Sequence, residues 1–146
     1  MYTITRKNRI KEQLQLCHAD GTVALTVNVD LNVDEIAARV NKAYEVLGSA
    51  QNALQKAPNS PQALEAYGNA VMAVFNVLFG EEDAGKLLEF YENNYTEMLL
   101  DVFPFINNEI MPKIREASAD RKARLLAASK MAAAGNREAR RSRFWS

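Results

Sequence analysis

Cysteine, histidine and tryptophan occur once each in this chain of 146 residues, as Cys17, His18 and Trp145. A single cysteine excludes an internal disulfide and a cysteine-rich zinc site. The single histidine lies next to Cys17 and two residues before Asp20. Neighbouring strand residues point to opposite faces, and a catalytic triad needs groups converging from separate segments, so this trio builds no nucleophile–base system. Cys17 is expected to be a small buried or half-buried hydrophobe, and His18 a solvated residue near a turn. The glycines (Gly21, Gly48, Gly68, Gly80, Gly85, Gly135) are scattered, and none belongs to a phosphate-binding loop. No apolar run approaches the roughly 18 residues of a membrane span. The start Met1-Tyr2-Thr3-Ile4-Thr5-Arg6-Lys7 lacks the hydrophobic region of a signal peptide, so a cytoplasmic protein is expected.

What the chain does have is apolar content and divided charge. Hydrophobic residues make up 48% and charged residues 25%, enough for one domain with a sizeable core. The net charge of zero hides an asymmetry. Met1 to Met111 carries 8 Lys/Arg against 15 Asp/Glu, a net of −7, while Pro112 to Ser146 carries 10 against 3, a net of +7. Glu81 to Glu109 alone holds 8 acids and one lysine. Opposite fields on one chain favour head-to-tail association or docking on a charged partner.

Val23, Leu25, Val27, Val29 and Leu31 are apolar at every second position, with Ala24 the exception on the polar face. That is the period of a half-buried strand. Leu14 and Leu16 alternate with Gln13 and Gln15, and His18-Ala19-Asp20-Gly21 between the two runs carries the Asp-Gly hairpin signal. Tyr2 and Ile4 suggest a further short strand. After Asn32 the pattern is helical. Asn32-Val33-Asp34-Glu35 resembles a capping box, and Ile36, Val40, Tyr44, Leu47 and Leu54 recur at helical spacing. Pro58-Asn59-Ser60-Pro61 separates this helix from the next, with Ser60 as N-cap and Pro61 at the first helical position. Leu64, Tyr67, Val71, Val74, Phe75 and Leu78 form the second apolar face, closed by Gly80.

Glu81, Glu82 and Asp83 open a third helix, a break is expected near Asn93-Asn94, and Thr96 is placed to cap a fourth helix through Met98, Leu99 and Val102. Pro104 and Pro112 should each kink a helix or divide two short ones. Lys113 to Ala134 reads as a weakly amphipathic basic helix ended by Gly135-Asn136. The predicted class is α+β, a mostly helical body with a small N-terminal β-hairpin: one domain over 1–134 (hairpin region 1–31, helical body 32–134), then a basic tail over 135–146.

The segment Phe90 to Ile106 packs five aromatics and three carboxylates into seventeen positions. The carboxylates Glu81, Glu82, Asp83, Glu89, Glu92, Glu97 and Asp101 follow neither a calcium-loop pattern nor the Glu-x-x-His pairing of di-iron bundles. No catalytic, cofactor-binding or metal-binding residue is expected, and an acidic docking surface is the preferred reading. Phe90, Tyr91, Tyr95, Met98, Leu99, Phe103 and Phe105 are candidate anchors for a partner helix. Glu82, Asp83 and Glu89, opposed by Arg121, Arg124, Arg140 and Arg141, are candidates for self-association. The basic C-terminal third allows three readings: a nucleic-acid arm with Phe144 and Trp145, an exposed helix with a floppy tail, or an arm that docks on the acidic 81–109 surface of a neighbouring copy.

The run Leu78-Phe79-Gly80-Glu81-Glu82-Asp83-Ala84-Gly85-Lys86-Leu87-Leu88-Glu89-Phe90-Tyr91, with Thr96 to Ile106 and Ile110-Met111-Pro112-Lys113-Ile114, resembles small tail assembly chaperones of long-tailed bacteriophages and prophages of Gram-positive bacteria. The likeness spans about Val71 to Arg115. It implies a non-enzymatic protein that binds the tape-measure protein, keeps it soluble, assembles in many copies on it and helps recruit tail-tube subunits. It also implies action in the bacterial cytoplasm and absence from the finished virion. The competing expectation is a small nucleic-acid-binding regulator that uses the basic C-terminal segment; a hydrolase or metal enzyme is a third.

Overall fold

The alternating segments pair as a hairpin. In the computed structural model, which describes residues 1–5 and 9–145 and side chains as far as residue 137, β1 (Ile10–Cys17) runs antiparallel to β2 (Val23–Leu31). Gly21, at φ 88, donates its N–H to the His18 carbonyl at 2.9 Å, and His18 donates to the Thr22 carbonyl at 2.8 Å. This is a three-residue turn whose left-handed position glycine fills without strain. The register slips between Leu16↔Leu25 and Cys17↔Val23, so the bulge falls at Ala24, the residue that breaks the alternation. Period two puts Leu16 inside and therefore turns Cys17 outward. Cys17 is exposed, against the expectation of a buried or half-buried residue, and His18 is solvated as expected. Tyr2 and Ile4 form no strand and are exposed.

A two-stranded hairpin is marginal by itself, and here the helices cover its apolar face. Val27, Val29 and Leu31 are buried against α2 (Pro61–Phe79) and α3 (Glu81–Phe90). Glu12 sits in the inward-facing row of β1 and pairs with Lys113, which ties the hairpin to the last helix.

α1 (Ile36–Lys56) buries Ile36, Val40, Ala43, Leu47 and Ala50 at alternating spacings of four and three, and packs on α2. Asn32 makes a turn rather than a cap, accepting the Asp34 N–H at 3.1 Å, and Glu35 at the helix start makes no side-chain capping bond. Ser60 caps α2 as the sequence implies, accepting the Ala63 N–H at 3.2 Å with Pro61 first in the helix. The α2 core face is Tyr67, Ala70, Val71, Val74, Phe75 and Leu78, while Leu64 is exposed at its outer end. Gly80, at φ 84, ends α2 and opens α3.

α3 stops at Phe90, and the chain turns through Glu92 (φ 53) and Asn93 (φ 65). The cap of α4 (Tyr95–Phe105) is Asn94, which accepts the Glu97 N–H at 3.0 Å; Thr96 instead shares a hydrogen bond with the Tyr67 hydroxyl at 3.1 Å.

Of the two outcomes expected at the prolines, a kink or a division, division does not occur. α4 runs through Pro104, which lies on the solvent face where a missing backbone bond costs least. One π-helical turn, Ile106–Ile110, then leads directly into α5 (Met111–Trp145). Its wider spiral precedes Pro112, whose ring would otherwise press on the carbonyl four residues earlier. The turn also aligns the core. Val102, Ile106, Ile110 and Ile114 are all buried at intervals of four, a spacing that drifts about 40° per step round an α-helix. A wider turn offsets that drift.

Gly135-Asn136 does not end α5, which continues to Trp145 over 35 residues, roughly 50 Å. The basic tail expected over 135–146 is therefore backbone-continuous with the helix as far as Trp145. Residues 121–137 are all exposed, so α5 leaves the body as an arm.

Candidate polypeptide-binding surface

The predicted anchors do not share one surface. Phe90 and Tyr91 end α3 and pack edge to face, with centroids 5.1 Å apart at 86°. Both are half-buried and line a shallow groove of about 260 Å³ with Leu14, Leu16, Cys17 and Asp101. Tyr95 lies elsewhere, its ring against Gly68 of α2. Phe103 and Phe105, flanking Pro104, point to different neighbours. Phe103 meets Tyr44 of α1 edge-on at 6.3 Å, and Phe105 stacks on Phe79 at 6.4 Å, which in turn stacks on Phe75 at 5.6 Å.

Met98 and Leu99 are corrections. Met98 is fully buried and Leu99 nearly so, at 0% and 7% exposure. They form the inner face of α4, where burial of each side chain stabilises the fold by about 1.5–3 kcal/mol. Neither is available to a partner in this conformation. The apolar residue that α4 does present is Leu100, 68% exposed between Glu97 and Asp101. Its exposure is not legible in the sequence, because every third or fourth position of that segment is apolar and the inner and outer faces look alike.

The rim of the groove is electrostatically active. Burial, then the Asp101 charge, a hydrogen bond with Asp101 and the Glu97 charge push the Tyr91 phenol up to about 12. The phenol therefore stays neutral well above neutral pH, hydrogen-bonded to Asp101 at the groove edge.

The charged residues expected to mediate self-association are partly engaged within the chain. Glu82 lies 3.4 Å from Lys86, and Asp83 accepts the Asn28 N–H of β2 at 3.4 Å. Arg121 reaches Asp34 at 3.7 Å, and Arg124 reaches Asp120 at 3.1 Å. Glu89 is exposed. The side chains of Arg140 and Arg141 lie outside the described residues. A larger open cleft, about 1110 Å³, lies at the root of the arm between Ile10, Val33, Asp34, Glu116, Arg121 and Leu125.

Among the described residues, no group of three or more His, Cys, Asp or Glu is placed to hold a metal ion, and no helix is long and apolar enough to cross a membrane. No curated protein and no solved structure matches the chain. Residues 23–143 match a family of unknown function, DUF6673, a span from β2 almost to the end of α5, and the chain belongs to that family.

Proposed function

We propose that this protein is a non-enzymatic assembly chaperone of the long-tailed phage type, which holds an amphipathic helix of the tape-measure protein and keeps that chain soluble in the bacterial cytoplasm. The observation that carries the reading is the groove beside Phe90 and Tyr91. Two half-exposed rings and the aliphatic Leu14 and Leu16 make an apolar floor, and Asp101 makes an acidic rim. Such a surface accepts a helix that offers apolar anchors at one face and cations beside them. Rings that stay half-exposed tolerate varied partner sequences.

The test is binding of purified tape-measure fragments. Phe90→Ala/Tyr91→Ala should weaken binding by about tenfold or more, as loss of aromatic anchors does. Phe103 and Phe105 are poorer choices, because each ring holds α4 to another helix. Failure of the unaltered chain to bind any fragment would overturn the proposal.

The exposed cationic arm favours a second reading, a nucleic-acid-binding regulator. Duplex retardation that falls steeply with salt and disappears on deletion of Arg137 to Ser146 would support it over the first.

A further inference from the structure

Beyond its root the arm is exposed as far as residue 137, and the chain carries a surface that suits it. We infer that the arm of one copy docks on the carboxylate face around the α3–α4 turn of a second copy, giving head-to-tail association through a heterologous contact.

The arm from Arg121 to Trp145 holds 8 Lys/Arg against one acid, Glu138. Two such helices repel each other, which disfavours arm-to-arm pairing. Along one helical face of the arm, Leu126, Lys130, Ala133 and Arg137 follow at steps of three and four, all exposed. Cations there flank aliphatic positions. The outer face of α4 has the inverse arrangement, with exposed Leu100 between Glu97 and Asp101. Glu89 and Glu92 extend it across the turn, and none of Glu89, Glu92 and Glu97 makes an ion pair with a described residue.

Two observations point to a second copy rather than to the arm's own body. Residues 121–137 are all exposed, so this stretch does not fold back on its own carboxylates. Two charges at its root are already matched, Arg121 by Asp34 and Arg124 by Asp120, which leaves the exposed Lys130 and Arg137 for another chain. The magnitudes also agree, +7 beyond Met111 against −7 before Pro112. A heterologous contact closes into a ring or continues as a filament, according to the rotation between copies.

The test uses the purified full chain without any partner, so it is independent of what the groove binds. Sedimentation at low salt should show concentration-dependent association that weakens by roughly tenfold or more as salt is raised. Lys130→Glu/Arg137→Glu should abolish it, and so should Glu89→Lys/Glu97→Lys, each giving a folded monomer by circular dichroism. Mixing the two variants should restore association, because the unaltered arm of the Glu89→Lys/Glu97→Lys chain fits the unaltered carboxylate face of the Lys130→Glu/Arg137→Glu chain. A wild-type chain monomeric at low salt, association unchanged in either variant, or no recovery on mixing would overturn the inference. A monomer that retards duplex DNA would assign the arm to nucleic acid instead.

Discussion

The ring of Phe103 meets the ring of Tyr44 edge-on, 6.3 Å between centroids at 86°, and so joins α4 to α1. This geometry favours the pair beyond its buried area. The Tyr44 hydroxyl is buried with no hydrogen-bond partner among the described residues, and desolvation raises its pKa.

Tyr44→Phe keeps the edge-to-face contact and removes the unpaired hydroxyl. The expected outcome is a stability gain of about 1 kcal/mol, since a buried polar group without a partner costs about that much or more. Urea denaturation checks it. A loss of similar size would show that the hydroxyl is satisfied in solution.

Tyr91 gives the fold an alkaline limit. Its folded pKa of about 12 lies above the ordinary value of 10.0, first through burial and then through Asp101. The neutral phenol is favoured by folding, so this contribution is fully present below about pH 10 and is lost as the pH rises towards 12. Ultraviolet titration of the phenols should show a tyrosine ionising near 12 that is absent from the Tyr91→Phe chain. Asp101→Asn should lower that midpoint without restoring the ordinary value, because burial is the larger cause. A midpoint unmoved by Asp101→Asn would remove the carboxylate from the account.

Gly68 is required by Tyr95 rather than by backbone conformation. A Cβ at position 68 would stand 2.9 Å from the Tyr95 ring. Gly68→Ala gains about 1 kcal/mol of helix propensity but overpacks a contact, which costs about 1–3 kcal/mol. A net loss of about 1 kcal/mol is expected. With Tyr95→Ala in place the same substitution should reverse sign and stabilise by about 1 kcal/mol. A double-mutant cycle by thermal denaturation reads the coupling.

Much of the backbone plan is local and was legible in the sequence. Alternation over Val23 to Leu31, the Asp20-Gly21 turn, the Ser60-Pro61 start and the Gly80 stop each act through residues within one or two turns. These effects need no distant partner, so residue order suffices to state them. Thr96 shows the limit. A good capping type stood two residues from the true cap, and a bond to Tyr67, far off in the chain, engaged it instead.

The candidate surface was less legible, because exposure is a property of neighbours. Met98 and Leu100 are both apolar residues of one helix, yet one is fully buried and the other 68% exposed. Which of them faces a partner depends on where the hairpin and α1 sit, and no local pattern contains that. The continuity of α4 into α5 is similar. Two prolines suggested a kink or a division, but the solvent-facing site of Pro104 and one π turn before Pro112 let the helix pass undivided, with the four-residue spacing of Val102, Ile106, Ile110 and Ile114 the one sequence trace of it.

Sequence alone determined the class, an apolar hairpin on a helical body, and the split of charge at Met111–Pro112, because periodicity and charge are carried by the residues themselves. Tertiary structure alone decided that the Phe90–Tyr91 rings border a groove while Met98 fills the core, and that the cations ride on a projecting helix. Those outcomes depend on which surfaces exclude water from one another, and that is settled only when distant segments pack.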